Sequence, residues 1–129
     1  MAEDVYPIEF DNSIGRAYVK INGEFNAAKI GNTFLAIATN KSWLDGDRSV
    51  LWRDENAYLP ESFGFSDIFK TTQITQNYTK PGKSAFVVEK NSKMIERVAN
   101  FYKSIASTTT DRKIEIFFSE KEAMAWLDN

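Results

Sequence analysis

The sequence predicts a single α/β domain built on a mixed, mostly parallel sheet with an antiparallel edge strand. Three observations predict it. Segments 7–10 and 16–21 alternate with period two around a turn cluster, Asp11-Asn12-Ser13-Ile14-Gly15, and so read as a hairpin. Apolar strand-like runs at 49–52, 84–88 and 113–118 then alternate with stretches of helical period, the pattern of parallel strands joined by crossover helices. The three prolines, at 7, 60 and 81, are scattered, and no repeat or linker divides the chain, so residues 1–129 are expected to form one domain.

Each element has its own signature. Pro7 is tolerable only at the start or edge of the first strand. In the second, Ala17, Val19 and Ile21 share one face, and Asn22-Gly23 reads as its end. Asn26 is a suitable N-cap for a helix in which Ala27, Ile30, Phe34 and Ile37 recur at helical spacing, with Leu35 and Ala38 beside them. Gly31 inside that helix costs about 1 kcal/mol relative to Ala, which suggests close packing. Asn40 reads as a stop and Asp45-Gly46-Asp47 as a turn. A buried strand at 49–52 ends near Arg53-Asp54. Residues 55–83 lack clear periodicity, although Ser66 and Asp67 suit the start of a short helix.

Pro81-Gly82 reads as a turn before a strand covered on both faces, Ser84-Ala85-Phe86-Val87-Val88. Asn91 or Ser92 would cap a helix with Met94, Val98, Phe101 and Ile105 inward, flanked by Ile95, Ala99 and Tyr102. After a loop at 107–111 and a strand at 113–118, Ser119 and Glu122 form a capping box. It opens a last helix that buries Ala123, Met124, Trp126 and Leu127. The expected order is β-β-α-β-(α)-β-α-β-α.

Composition narrows the function. The chain of 129 residues is 43% hydrophobic and 26% charged, an ordinary globular balance. A net charge of −2 without a basic block argues against nucleic acid as partner. No apolar run approaches the roughly 18 residues of a membrane span. Met1-Ala2-Glu3-Asp4 lacks the features of a signal peptide, so a cytoplasmic protein is expected. His and Cys are both absent, which removes Ser–His–Asp and Cys–His nucleophiles and zinc sites of the Cys/His kind.

Four local patterns have a chemical and a plainer reading. Gly82-Lys83-Ser84 looks like the tail of a phosphate-binding loop. Position 77 is Asn where the loop needs Gly, and a strand follows where the loop needs a helix. Asp45-Gly46-Asp47, with Asp54 and Glu55 near in sequence, offers fewer oxygens than a calcium loop and reads as turn chemistry. Carboxylate pairs are plentiful but become catalytic only by placement. Most aromatics sit at core-facing positions. No cofactor, metal or catalytic residue is therefore expected.

Several stretches resemble the SpoIIAA-like branch of the STAS domains. The closing strand and helix, with Ser119-Glu120-Lys121-Glu122-Ala123-Met124-Ala125-Trp126-Leu127, look like that family's last helix. Gly23-Glu24-Phe25-Asn26 is similar to its lead-in to the first helix, with Asn in place of Asp. Val50-Leu51-Trp52-Arg53-Asp54 and Gly82-Lys83-Ser84-Ala85-Phe86-Val87-Val88 resemble two of its strands. The likeness runs from about residue 6 to 127. It implies an α/β fold with helices mainly on one side of the sheet, and a regulatory module that binds a protein partner or itself as a homodimer. Some members are switched by phosphorylation after the third strand; the nearest match here is Ser62, where Glu61 replaces the family's Asp and the spacing from Trp52 is long. The fold is also often likened to the CRAL-TRIO lipid-binding fold, which makes a small apolar ligand the alternative.

Binding residues favour loops at the ends of parallel strands. The segment after the third strand, 53–69, is the expected site, with Asp54, Tyr58, Ser62, Phe63, Phe65 and Phe69 as its candidate residues.

Overall fold

The computed structural model describes residues 5–61, 64, 66, 81–89, 93, 95–97, 99, 100, 103, 104 and 112–129. The hairpin forms as expected, with β1 (Ile8–Asp11) antiparallel to β2 (Arg16–Glu24). The Ile14 and Gly15 N–H groups close the turn by donating to the Asp11 carbonyl at 3.4 and 2.9 Å. The Ser13 hydroxyl and N–H both donate to the Asp11 carboxylate and hold its pKa below the ordinary value.

Ala17, Val19 and Ile21 are buried together, as their alternation requires. β2 does not end at Asn22-Gly23, however. It continues to Glu24, with Gly23 at φ 73°, and the register slips there because Asn22 to Glu24 is matched by Glu55 to Tyr58, a bulge whose extra residue lies on the neighbouring strand.

α1 (Ala27–Ile37) starts at Asn26, whose side chain accepts from the Lys29 N–H at 2.9 Å. Ile30, Phe34 and Ile37 are buried. Asn40 is a start rather than only a stop. It caps a short helix, α2 (Lys41–Asp45), by accepting from the Trp43 N–H at 2.9 Å. This helix puts the Trp43 ring in the core, edge-on to Phe34, with the indole N–H donating to the Ser49 carbonyl at 3.1 Å.

β3 (Ser49–Tyr58) is longer than its apolar run, because pairing with β2 carries it past Arg53. β4 (Gly82–Val87) and β5 (Arg112–Phe117) follow. Described residues 93, 95–97, 99, 100, 103 and 104 are helical and are termed α3. Ile95 and Ala99 are buried there, whereas Met94, Val98, Phe101, Tyr102 and Ile105 lie outside the described residues. Ser66 is helical, and the cap at Asn91 or Ser92 also lies outside the described residues. α4 (Glu120–Asp128) begins at Ser119, whose hydroxyl accepts from the Glu122 N–H at 3.4 Å, with Glu120 and Glu122 in its first turn.

The strands lie in chain order, β1-β2-β3-β4-β5, with the first pair antiparallel and the rest parallel. One face carries Ala17, Val19, Ile21, Val50, Trp52, Phe86, Val88 and Ile114 and packs on α1, α2 and α3. The other face carries a smaller cluster, Leu51 and Ala85 against Ala123 and Leu127 of α4. Trp126 is half-buried rather than central. Ala123 and Leu127 occupy the line that faces the sheet, which leaves Trp126 at the rim, 5.7 Å from the Phe117 ring and beneath the Lys83 ammonium.

Candidate functional site

The candidate segment does not form a loop from its first residue. Asp54 and Tyr58 both lie on β3, while Ser62, Phe63, Phe65 and Phe69 lie outside the described residues. The strand extends because β2 remains beside it: Ile21 is paired with Asp54, Asn22 with Glu55 and Glu24 with Tyr58. Pairing with β4 stops at Arg53–Val87, so β3 and β4 part at Asp54.

Asp54 spans that fork. It is 6% exposed, and its two carboxylate oxygens accept from the Ala57 N–H at 3.0 Å and the Glu89 N–H at 3.3 Å. Glu89 returns the contact, its carboxylate accepting from the Asn56 N–H at 3.1 Å. Asn56 sits at φ 60°, a left-handed conformation that Asn tolerates better than most residues. Three backbone donors at the end of the strands are thus satisfied by two carboxylates. Tyr58 follows on this held backbone with its side chain 58% exposed, and its carbonyl accepts from the Phe25 N–H at 2.7 Å.

Tyr6 secures the neighbouring strand end. Its hydroxyl donates to the Glu24 carbonyl at 2.7 Å and accepts from the Asn26 N–H at 3.0 Å. Burial raises the phenol pKa, opposed in part by that Asn26 N–H. The strand ends are acidic, with Glu24, Glu55 and Glu89 near Asp54. Among the described residues no group of three or more His, Cys, Asp or Glu is placed to hold a metal ion.

At the opposite end of the sheet lie two buried arginines that sequence reasoning missed. Arg16 donates from Nε to the Ser49 hydroxyl at 2.8 Å and pairs with Asp128 at 3.0 Å and Asp47 at 3.4 Å. Burial works against its charge, but hydrogen bonds to Asp128, Tyr18 and Asp47 outweigh this and raise its pKa. Arg112 donates to the Ser84 hydroxyl at 3.0 Å and to the Arg48 and Lys83 carbonyls at 2.8 Å each. Its guanidinium also lies over the Phe34 and Trp43 rings. An arginine at the head of a strand normally reads as solvated, so the only sequence signal was its direct junction with an apolar alternation.

Two clefts are bounded by described residues. One of about 200 Å³ has Pro7, Tyr18, Val19 and Leu51 in its lining beside the charged Glu9, Lys20, Arg53 and Glu120. A broader one of about 710 Å³ includes Arg16, Asp47, Lys83, Leu127 and Asp128. Neither includes Tyr58. No helix among the described residues is long and apolar enough to cross a membrane. Comparison of the chain with protein-family models, with curated proteins and with solved structures gives no match.

Proposed function

We propose that this chain is a non-catalytic, STAS-like regulatory module that binds a protein partner, or a second copy of itself, through the ends of β2 and β3. The observation that carries the reading is the use of Asp54. Both of its oxygens are engaged by backbone N–H groups, so the carboxylate shapes the strand end and is poorly placed to move protons. What the strand end offers outward is Tyr58, an exposed aromatic on an ordered backbone, which is the kind of anchor that protein contacts favour. The STAS-like assignment draws support from the single antiparallel edge strand and from α1, α2 and α3 lying on one face. A small apolar ligand is the second reading, and neither described cleft is purely apolar, since each mixes apolar with charged side chains.

Hydrogen exchange of the chain, alone and with fractionated cell extract, tests the reading, with sedimentation equilibrium covering self-association. Protection is expected at 54–61 and should vanish in Tyr58→Ala, a variant expected to change stability by less than about 0.5 kcal/mol. Protection confined to 93–104, or protection unchanged in Tyr58→Ala, would overturn it.

A further inference from the structure

Neither the core nor the proposed contact accounts for Asn22-Gly23. An Asn followed by Gly is the pair most open to attack on the side-chain amide by the next backbone nitrogen, since glycine has no Cβ to obstruct the approach. Three other pairs among the described residues invite related chemistry, and the structure restrains each; a further pair, Asn91-Ser92, lies outside the described residues. At Asn12-Ser13 the Ser13 N–H donates to the Asp11 carboxylate at 3.1 Å. At Asn56-Ala57 the Ala57 N–H donates to the Asp54 carboxylate at 3.0 Å. At Asp45-Gly46 the Gly46 N–H donates to the Trp43 carbonyl at 3.2 Å, and the Gly46 backbone is packed tightly against Ile14 and Gly15. An N–H held by a carboxylate is harder both to deprotonate and to turn toward its neighbour.

Asn22 is itself paired with Glu55 of β3, a ladder that must open before the reaction, but its other surroundings differ. Both Asn22 and Gly23 are exposed. The β1 ladder has already stopped at Ile8–Val19, so among the described strands only β3 pairs with this part of β2. The register slips at Gly23, and a Cβ built there would meet nothing within 4 Å. A strand end with one neighbour and a broken register opens locally at low cost.

We propose that Asn22 is a site of spontaneous deamidation in the folded protein. The Gly23 nitrogen, once it has given up its proton to solvent base, bonds to Cγ of Asn22. The Cγ–N bond breaks, and the side-chain nitrogen leaves as ammonia after taking up a proton from solvent. Water then opens the resulting succinimide at either carbonyl to give aspartate or isoaspartate. One water is consumed, one ammonia is released, and no oxidant or reductant is required. The product adds a carboxylate opposite Glu55 and close to Glu24 in sequence, on an end that already holds Asp54 and Glu89. The isoaspartate form also lengthens the β2 main chain opposite the β3 bulge, close to the Glu24 carbonyl that Tyr6 holds. The inference does not depend on the proposed contact.

The test is to age the purified full chain in mildly alkaline buffer, native and in urea, and to map its peptides by mass spectrometry. The tryptic peptide spanning 21–29 contains both Asn22 and Asn26, so fragment ions must assign the site. The expected result in the native sample is an amide-to-acid mass gain at Asn22, ahead of every other Asn. It should elute as two forms, grow faster as pH rises, and be lost in Asn22→Gln. Gain only in urea would mean that the strand protects Asn22. That result, first gain at another Asn, or no gain in either sample would overturn the proposal.

Discussion

Where the parallel strands begin, two guanidinium groups are enclosed by packed layers; where the strands finish, carboxylates organise the backbone at the surface. Arg16 and Arg112 each donate from Nε to a serine on the neighbouring strand, Ser49 and Ser84, but on opposite faces of the sheet. Arg16 reaches toward α4, while Arg112 lies over aromatic rings of α1 and α2. Close backbone packing completes this end. A methyl group on Gly15 would lie 2.6 Å from the Gly46 Cα and 2.7 Å from the Ser42 carbonyl oxygen. At the far end Asp54 and Glu89 cap backbone N–H groups around a left-handed Asn56, and Tyr58 is left outside. Buried cations committed to several partners make one end rigid and costly to change. At the other end one buried carboxylate, Asp54, and one exposed, Glu89, order the backbone while leaving neighbouring side chains such as Tyr58 exposed, which is the condition that suits a recognition surface.

The contrast leads to mutational expectations. Arg112→Ala should produce the largest effect, about 4 kcal/mol, since it opens a cavity beneath Phe34 and Trp43 and leaves the Arg48 and Lys83 carbonyls short of donors. Urea unfolding measures it, and a loss below about 1 kcal/mol would erase the distinction between the two ends. Gly15→Ala is expected to cost about 3 kcal/mol, because the new methyl meets backbone at φ 76° and cannot be relieved by a rotamer change. A near-neutral melting temperature would show that the Gly15–Gly46 approach can relax. Asp54→Ala should be milder, about 2 kcal/mol, as it strands the Ala57 and Glu89 N–H groups close to water. Exchange protection should then fall at 54–58 and at 89, while protection on β1 stays as it was. A loss spread evenly across the sheet would mean that the carboxylate end is as central to the fold as the arginine end.

Much of the architecture was legible because it follows from short-range periodicity and capping. Alternation identified the inward face of β2, and the spacing of Ile30, Phe34 and Ile37 identified that of α1. Asn26 and Ser119 cap the helices they precede, as their side-chain chemistry implies. Local patterns were insufficient where a neighbour overrode them. β3 reads as ending near Arg53 because its apolar run stops there, yet pairing with β2 extends it to Tyr58. Asn22-Gly23 reads as a strand end, but the same pairing carries β2 through it to Glu24, opposite a bulge in β3. α2 was missed because its five residues carry too little periodicity to distinguish them from a turn. Of the candidate site residues, Asp54 and Tyr58 adjoin each other along one strand end in opposite roles, one a buried brace and the other exposed, and no spacing rule separates those roles.

The sequence by itself determined the α/β class, the hairpin, the main helix caps and most of the core-facing positions. These depend on side chains a few places apart, whose relation is set by the helical or strand repeat. Only the tertiary structure decided that α4 would pack on the second face, that two arginines would be buried, and that Asp54 would serve the backbone. Each of these rests on partners distant in sequence, such as Arg16 with Ser49 across 33 positions or Glu89 with Asp54 across 35. A charged side chain has no fixed preference for burial until the chain has brought its partners within hydrogen-bonding distance.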